Sequence, residues 1–481
     1  MDQKAGAQIS RRSFIQAVVI LFILMMIAGV MTLIIPAGHY ARSTLEGREV
    51  IDPASFQVVP KPDYPIWRWF TAPLEVLAGP NALTLITIIL FILMVGASFA
   101  VLEYSGVIKD VLGRLVAHFG ARKEVLLLVI AFFFALLGAF FGILEEIIPL
   151  VPLMIALSYE LGWDSLVGLG MSILAVNIGF SAAVANPFTT GVAQKLAGLP
   201  LYSGWELRLI IFFVLYAVLA IFLVRYARRV ERNPQSSPVY REDQAARAKT
   251  ARFDLAAEKN PHLGRAVAWF LGCMIFVLLV LVGGRVITVL SDFALPIVGV
   301  LFLIGGLGAG LLAGGNRRAT FRAAWQGMTG IAPGIILILM AASISFIIVN
   351  GGILDTLLHA AAEPLSHVTP FVAALLIYGV TLLFEFVVAS GSAKAFLLMP
   401  IVLPLADLIG VTRQTTVLSY IFGDGFSNLM YPTNPLLLIV LGLTVVSYAR
   451  WIKWSARLWI IILPLTILFL ALAVALHYGP F

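Results

Sequence analysis

One cysteine, Cys273, stands in 481 residues, so no disulfide and no cysteine-built metal site can form within the chain. Charge is scarce as well. Asp, Glu, Lys and Arg make up 12% of the residues, about half the share usual in a soluble protein. The six histidines, at 39, 118, 262, 359, 367 and 477, fall in predicted loops or segment ends, and none pair at metal-ligand spacing at membrane depth. No Gly-rich phosphate loop is present, and no polar stretch is long enough to hold a nucleotide-binding domain. These absences exclude a primary pump and call for no cofactor or metal. A channel or an intramembrane enzyme is also disfavoured, because nothing resembles a pore filter or a nucleophile–base pair. The net charge of +7 needs no nucleic-acid partner, since Lys- and Arg-rich cytoplasmic loops account for it.

What the chain has instead is apolar sequence in long blocks, 61% of all residues. A run of about 20 apolar residues spans a bilayer core. Candidate segments cover 14–35, 82–104, 124–141, 143–160, 165–185, 187–200, 206–227, 265–289, 294–314, 331–350, 370–389, 391–410, 414–430, 434–449 and 457–477. The first exceeds the signal-peptide core of about 7–15 residues, so it reads as a retained helix. The fold class is therefore an all-α polytopic membrane protein with the lipid bilayer as its surroundings. The regions 143–160 and 391–410 each carry two prolines and polar residues, and suit re-entrant hairpins better than straight spans. Irregular backbone at membrane depth is tolerated only where protein or a water-filled cavity surrounds it.

The polar stretch 228–264 reads as a cytoplasmic linker between a first repeat, 1–227, and a second, 265–481. Asp243–Phe253 permits a short helix. The positive-inside rule sets the orientation. Lys4, Arg11 and Arg12 place the N-terminus in the cytoplasm, together with Lys109, Arg114, Arg122 and Lys123, Arg317, Arg318 and Arg322, and Arg450, Lys453 and Arg457. The loops 36–80 and 351–369 face outward, as does the C-terminal end from His477 to Phe481.

The two halves repeat one another. Ile92-Leu93-Met94-Val95-Gly96-Ala97-Ser98, followed by Ser105-Gly106-Val107-Ile108, matches Ile338-Leu339-Met340-Ala341-Ala342-Ser343, followed by Gly351-Gly352-Ile353-Leu354. Pro149 and Pro152 recur as Pro400 and Pro404, Gly179-Phe180-Ser181 as Gly425-Phe426-Ser427, and Asn186-Pro187 as Asn434-Pro435. The segment after Met94 ends at basic residues, whereas its counterpart after Met340 ends at a loop without Lys or Arg, so the copies are expected to be inverted. Inverted repeats with Pro-interrupted segments point to a secondary transporter whose site lies near the midplane. The expected interruptions are the hairpins 143–160 and 391–410 and two broken helices, 165–200 and 414–449.

Buried charge marks the candidate site. Glu145 and Glu146 are costly to bury unless hydrated, protonated or paired, and suit an ammonium group, a coupling cation or a coupling proton. Lys394 suits a substrate carboxylate, the place of a sodium ion, or a structural pair with Glu385 or Asp424. Ser390, Gly391 and Ser392 allow close backbone approach and supply hydroxyls. The breaks at Asn186-Pro187 with Thr189, and at Thr433-Asn434-Pro435 with Asn428, free carbonyls for a cation and amides for an anion. Glu145, Glu146 and Asp424 are the candidates for a coupling ion. Four acids (Glu145, Glu146, Glu385 and Asp424) against the single base Lys394 lean toward an amino-bearing substrate or proton coupling.

The segments GILEEIIPLVP, ANPFTTG, SGSAKAFLLMP and YPTNP resemble the YfcC branch of the anaerobic dicarboxylate-carrier (DcuC-like) family, over about 14–477. The resemblance implies two re-entrant hairpins, two broken helices, a homodimeric scaffold, elevator-like alternating access and a bacterial inner-membrane location. Members of this branch are commonly given the provisional label of basic amino acid antiporter, while the family name says dicarboxylate. Related sodium symporters carry Ser-Asn-Thr at both hairpin tips, where this chain has Leu144-Glu145-Glu146 and Ser392-Ala393-Lys394. The expectation is an antiporter or proton-coupled carrier for amino acids, the basic ones foremost, with a dicarboxylate exchanger as the alternative.

Overall fold

The computed structural model describes residues 11–45, 48–80, 82–108, 110, 114, 122–250, 262–283, 293–314, 316–363 and 368–479. Its helices, in chain order, are α1 (Arg11–Ile34), α2 (Trp67–Glu75), α3 (Ala82–Tyr104), α4 (Lys123–Phe141), α5 (Val151–Glu160), α6 (Ser165–Ala182), α7 (Val192–Leu196), α8 (Trp205–Arg232), α9 (Tyr240–Thr250), α10 (Leu263–Gly283), α11 (Ala294–Leu312), α12 (Arg317–Ile331), α13 (Pro333–Asn350), α14 (Leu354–Ala362), α15 (Pro370–Glu385), α16 (Gly391–Ile409), α17 (Arg413–Ser427), α18 (Pro435–Gly442) and α19 (Tyr448–Ala475). Among the described residues, seven helical stretches are long and apolar enough to cross a bilayer.

Most of the expected segments become helices within a few residues of their predicted bounds. The differences follow from local chemistry. Residues 187–200 supply only a short helical stretch ending in α7, because Pro187 opens it and Gly198 closes it with a positive φ. α16 is one continuous helix despite Pro400 and Pro404, so 391–410 is a single arm and the chain turns before it, at 386–390. Likewise 143–160 is one arm: the chain leaves helix at Gly142, which is left-handed, and regains it through a 3-10 turn at Glu145–Leu150 and then α5. Arg228, Arg229 and Arg232 belong to α8 rather than to the linker, and Arg450, Lys453 and Arg457 to the first turns of α19. The predicted linker helix occurs at α9, three residues early. Parts of the expected segment 265–289 and of the loops 105–123 and 351–369 lie outside the described residues.

Two sets of helices pack most closely among themselves, and the sets join where α13 packs on α18. α3, α10, α11 and α12 contact one another. Small residues allow this: a β-carbon on Gly327 would fall 2.1 Å from the Gly96 carbonyl, and one on Gly306 would fall 2.3 Å from Ser98 Oγ. Close approach through small residues is how helices associate where lipid removes the hydrophobic drive. Cys273, on α10, lies against Gly305 of α11. α13 packs on α1 and α2. In the second group, α6 packs on α4, α8 and α17, while α15, α16, α17 and α19 pack together and α16 contacts α7.

Between α1 and α2, short strands β1 (Gly38–His39) and β4 (Gln57–Val58) pair antiparallel, as do β2 (Arg42–Leu45) and β3 (Arg48–Ile51). They are tied to α14, where Asp355 accepts from the Tyr40 amide at 2.9 Å and from Arg42 at 2.7 Å. The linker is anchored too. Asp243 of α9 accepts from Tyr159 Oη at 2.8 Å and from the Ser165 amide at 2.9 Å. Asp164 caps α6 and accepts from Tyr226 and Ser237, each at 2.6 Å. Burial pushes the Asp243 carboxyl up to about 6.

Candidate functional site

The first interruption begins where α6 ends. Ala183 takes a left-handed conformation (φ 45°, ψ 48°), rare for a residue with a side chain. The helix restarts at Pro187, with Asn186 as its cap: Asn186 Oδ1 accepts from the amides of Phe188 at 2.9 Å and Thr189 at 3.3 Å. An Asn cap followed by proline suits a helix start because the cap satisfies free amides and proline has none to satisfy. The carbonyls freed at the break are also taken. Val184 O accepts from Arg208 Nε at 3.3 Å and Nη2 at 3.2 Å, and Ala183 O accepts from Thr190 at 2.8 Å. Arg208 is 1% exposed; its other donors reach the Tyr202 and Ser203 carbonyls and Tyr478 Oη at 3.0–3.3 Å.

The second interruption follows the same plan. α17 ends at Ser427, and α18 restarts at Pro435 with Asn434 Oδ1 accepting from the Leu436 amide at 3.0 Å. Asn434 Nδ2 donates to Asn428 Oδ1 at 2.9 Å and to Glu385 Oε1 at 3.1 Å. The Leu429 carbonyl accepts from Trp451 and the Met430 carbonyl from Tyr448, at 2.8 and 2.7 Å.

Between these interruptions lies an ion triad. Lys394 stands in the first turn of α16, capped by Ser390. Its ammonium donates to Glu385 Oε2 and, at 2.9 Å, to Asp424 Oδ1. The exposure of Glu385 and Lys394 is 0% and that of Asp424 1%. Charges so placed persist only when paired and hydrogen-bonded. Both Glu385 oxygens have donors, whereas Asp424 Oδ2 has none. Other buried polar atoms without a partner include Asn186 Nδ2, Thr189 Oγ1, Thr433 Oγ1 and both polar side-chain atoms of Asn177.

Glycines bring the parts together. A β-carbon on Gly391 would fall 2.8 Å from Asp424 Oδ2 and 3.0 Å from Thr189 Cγ2. Gly391 is thus the point where the tip of α16, the charge on α17 and the restart after Asn186 meet. A β-carbon on Gly142 would fall 2.3 Å from Asn186 Oδ1, which brings the turn before Glu145 onto the same break. The Tyr420 hydroxyl donates to the Gly391 carbonyl.

Of the residues expected from sequence, Lys394, Asp424, Asn428 and Asn434 share one network with Glu385. Asn186 and Thr189 adjoin it, Thr433 is buried beside Asn434 with its hydroxyl unpartnered, and Ser390 and Ser392 sit exposed and half-buried at the α16 tip. Glu145 and Glu146 follow the Gly142 turn; their side chains lie outside the described residues. Of the readings open for Lys394, the geometry matches the pair with Glu385 and Asp424 rather than a free holder of carboxylate. Arg208 and Tyr420 were not anticipated. For Arg208 the signal was weak, since it stands at the start of an apolar segment, two residues after Glu206.

The C4-dicarboxylate anaerobic carrier family model (DcuC) matches residues 14–475. The chain is 30% identical to YfcC of Escherichia coli (strain K12), provisionally named a basic amino acid antiporter, with 92% of each chain covered. It is 24% identical to an uncharacterized Haemophilus influenzae protein, over 77% of this chain and 72% of that one. Among solved structures, the Alcanivorax borkumensis YdaH transporter matches at 18% identity and TM-score 0.36, with 96% of each chain covered. Neisseria gonorrhoeae MtrF, described as illuminating a class of antimetabolite efflux pumps, matches at 17% identity and TM-score 0.41, over 96% and 94%. Family and relatives are membrane transporters rather than enzymes, and this multi-pass chain belongs to the C4-dicarboxylate anaerobic carrier (DcuC) family.

Proposed function

We propose that the protein is a secondary transporter of a basic amino acid, working by alternating access across the bacterial inner membrane. One observation carries this reading: Asp424 Oδ2, buried and without a donor, sits where the α16 tip meets the restart after Asn186. An ammonium or guanidinium group is the donor it lacks. Asn186 Nδ2 and Thr189 Oγ1 are available for the substrate's carboxylate. The provisional name of the Escherichia coli relative agrees in substrate class.

In this reading the halves are inverted repeats. Turns at 142–144 and 386–390 are the tips of re-entrant hairpins, and α6–α7 and α17–α18 are the broken helices. The second helix group carries the site, elevator-fashion, past the first group, which forms the homodimer. The N-terminus is cytoplasmic and the C-terminus outside.

Thermal unfolding of the purified protein tests the substrate class, because a ligand that binds only the folded state raises the melting temperature. Arginine and ornithine are expected to raise it, and Asp424→Asn to shrink the rise. A second reading, dicarboxylate exchange, is supported by the family description and by the same unpartnered donors Asn186 Nδ2 and Thr189 Oγ1. A rise with succinate or fumarate, and none with arginine or ornithine, selects it.

A further inference from the structure

The triad holds two carboxylates and one ammonium, all buried. Glu385 receives a donor on each oxygen, from Lys394 and Asn434, so it is held as an acceptor in both positions. Lys394 spends its charge on both carboxylates. One acceptor is left over, Asp424 Oδ2, and two carboxylates against one ammonium leave a formal excess of one negative charge. Its surroundings supply no second cation among the described residues. Among the described residues, the charged groups on the helices packed against α17 besides Glu385 and Lys394 are Lys195 on α7, Asp407 on α16, and Arg450, Lys453 and Arg457 on α19. Lys195, Asp407, Lys453 and Arg457 are exposed, and half-buried Arg450 is paired with Glu242 of the linker. Tyr420 donates its hydroxyl to Gly391 O, and Tyr378 shares a hydrogen bond with Thr466. Glu145 and Glu146 would add charge only of the same sign.

We propose that the site crosses the membrane only when a substrate amino group occupies Asp424 Oδ2. This rests on the basic amino acid reading above. An unneutralised carboxylate at membrane depth carries a penalty that slows crossing on the order of a hundredfold. The empty site is therefore stalled, and the substrate-loaded site crosses in either direction. A requirement set at one atom makes the carrier an exchanger, substrate for substrate. No separate coupling ion is required, because Lys394 already occupies the position between the two carboxylates where a cation would sit.

Proteoliposomes loaded with arginine test it. Exchange against external labelled arginine is compared with efflux into amino-acid-free buffer. The expected result in the wild type is net efflux slower than exchange on the order of a hundredfold. In Asp424→Asn the excess charge is gone, so net efflux should rise to match the exchange that the variant retains. The melting temperature of the variant without ligand separates this effect from misfolding. Net efflux as fast as exchange in the wild type overturns the proposal while leaving the substrate class intact. So does net efflux that stays far below exchange in Asp424→Asn. Absence of any arginine exchange in the wild type overturns the substrate reading, and the proposal with it.

Discussion

At Ala183–Asn186 and again at Asn428–Asn434 the chain leaves a helix and re-enters one through an Asn-Pro pair whose amide oxygen caps the restart. The local solution is the same, but the charge around it is not. At the first break a guanidinium, Arg208, holds the Val184 carbonyl, and no described carboxylate joins it. At the second, tryptophan and tyrosine side chains hold the carbonyls, and the charge is gathered beside it as Glu385, Lys394 and Asp424. The same backbone chemistry builds both breaks, while the side chains around them differ. Only beside the second do the described residues gather paired ions.

That difference can be broken in stages. The largest effect should come from Lys394→Met, which strands two buried carboxylates; breaking such a group costs about 3–5 kcal/mol. Thermal unfolding in detergent should fall steeply, and added removal of both acids (Glu385→Gln with Asp424→Asn) should restore much of the loss. Arg208→Leu comes next, on the order of 3 kcal/mol, since the carbonyls it serves lose their donors. If the breaks differ as described, no acid-removing change should rescue it.

The two caps then separate the breaks more finely. Asn186→Ala should cost about 1 kcal/mol, the usual worth of a cap. Asn434→Ala should cost about twice that, because Glu385 Oε1 loses its donor along with the cap. Equal losses in unfolding measurements would mean that Glu385 does not depend on Asn434. Thr189→Val should hardly alter stability, since the hydroxyl it removes has no partner. Substrate affinity, read by the ligand-induced shift in melting temperature, should nonetheless weaken.

A pH effect away from both breaks provides the control. Burial raises the Asp243 carboxyl to about 6 from an ordinary value of 3.8, so the folded state holds its proton more tightly than the unfolded one. The contribution to linker docking is then full below about 4 and lost as pH rises through about 6. Hydrogen exchange of α9 should quicken across that window, and Asp243→Asn should remove the dependence while sparing the triad.

Much of this was legible in the residues. Proline and asparagine act locally, so the Asn-Pro restarts and most helix bounds could be read directly. Pairing over long separations could not. Lys394 had several chemically sound partners, and only packing of α15 and α17 on α16 brings Glu385 and Asp424 within reach. The continuous helix through Pro400 and Pro404 also escaped prediction, because a proline's cost to a helix depends on whether neighbours tolerate the missing bond. Arg208 stands at the start of an apolar run, near Glu206, where an arginine draws no notice, and its role depends on Val184, Tyr202 and Tyr478, which come from three separate segments.

The solitary cysteine has a practical consequence. Cys273 lies on α10, within the group of α3, α11 and α12. One added cysteine on the second group, at exposed Ile460 of α19 for instance, makes a unique pair for spin or fluorescent labels. The distance between them becomes a ruler laid across the two groups, and a single resonance or energy-transfer trace can count how many separations the protein samples.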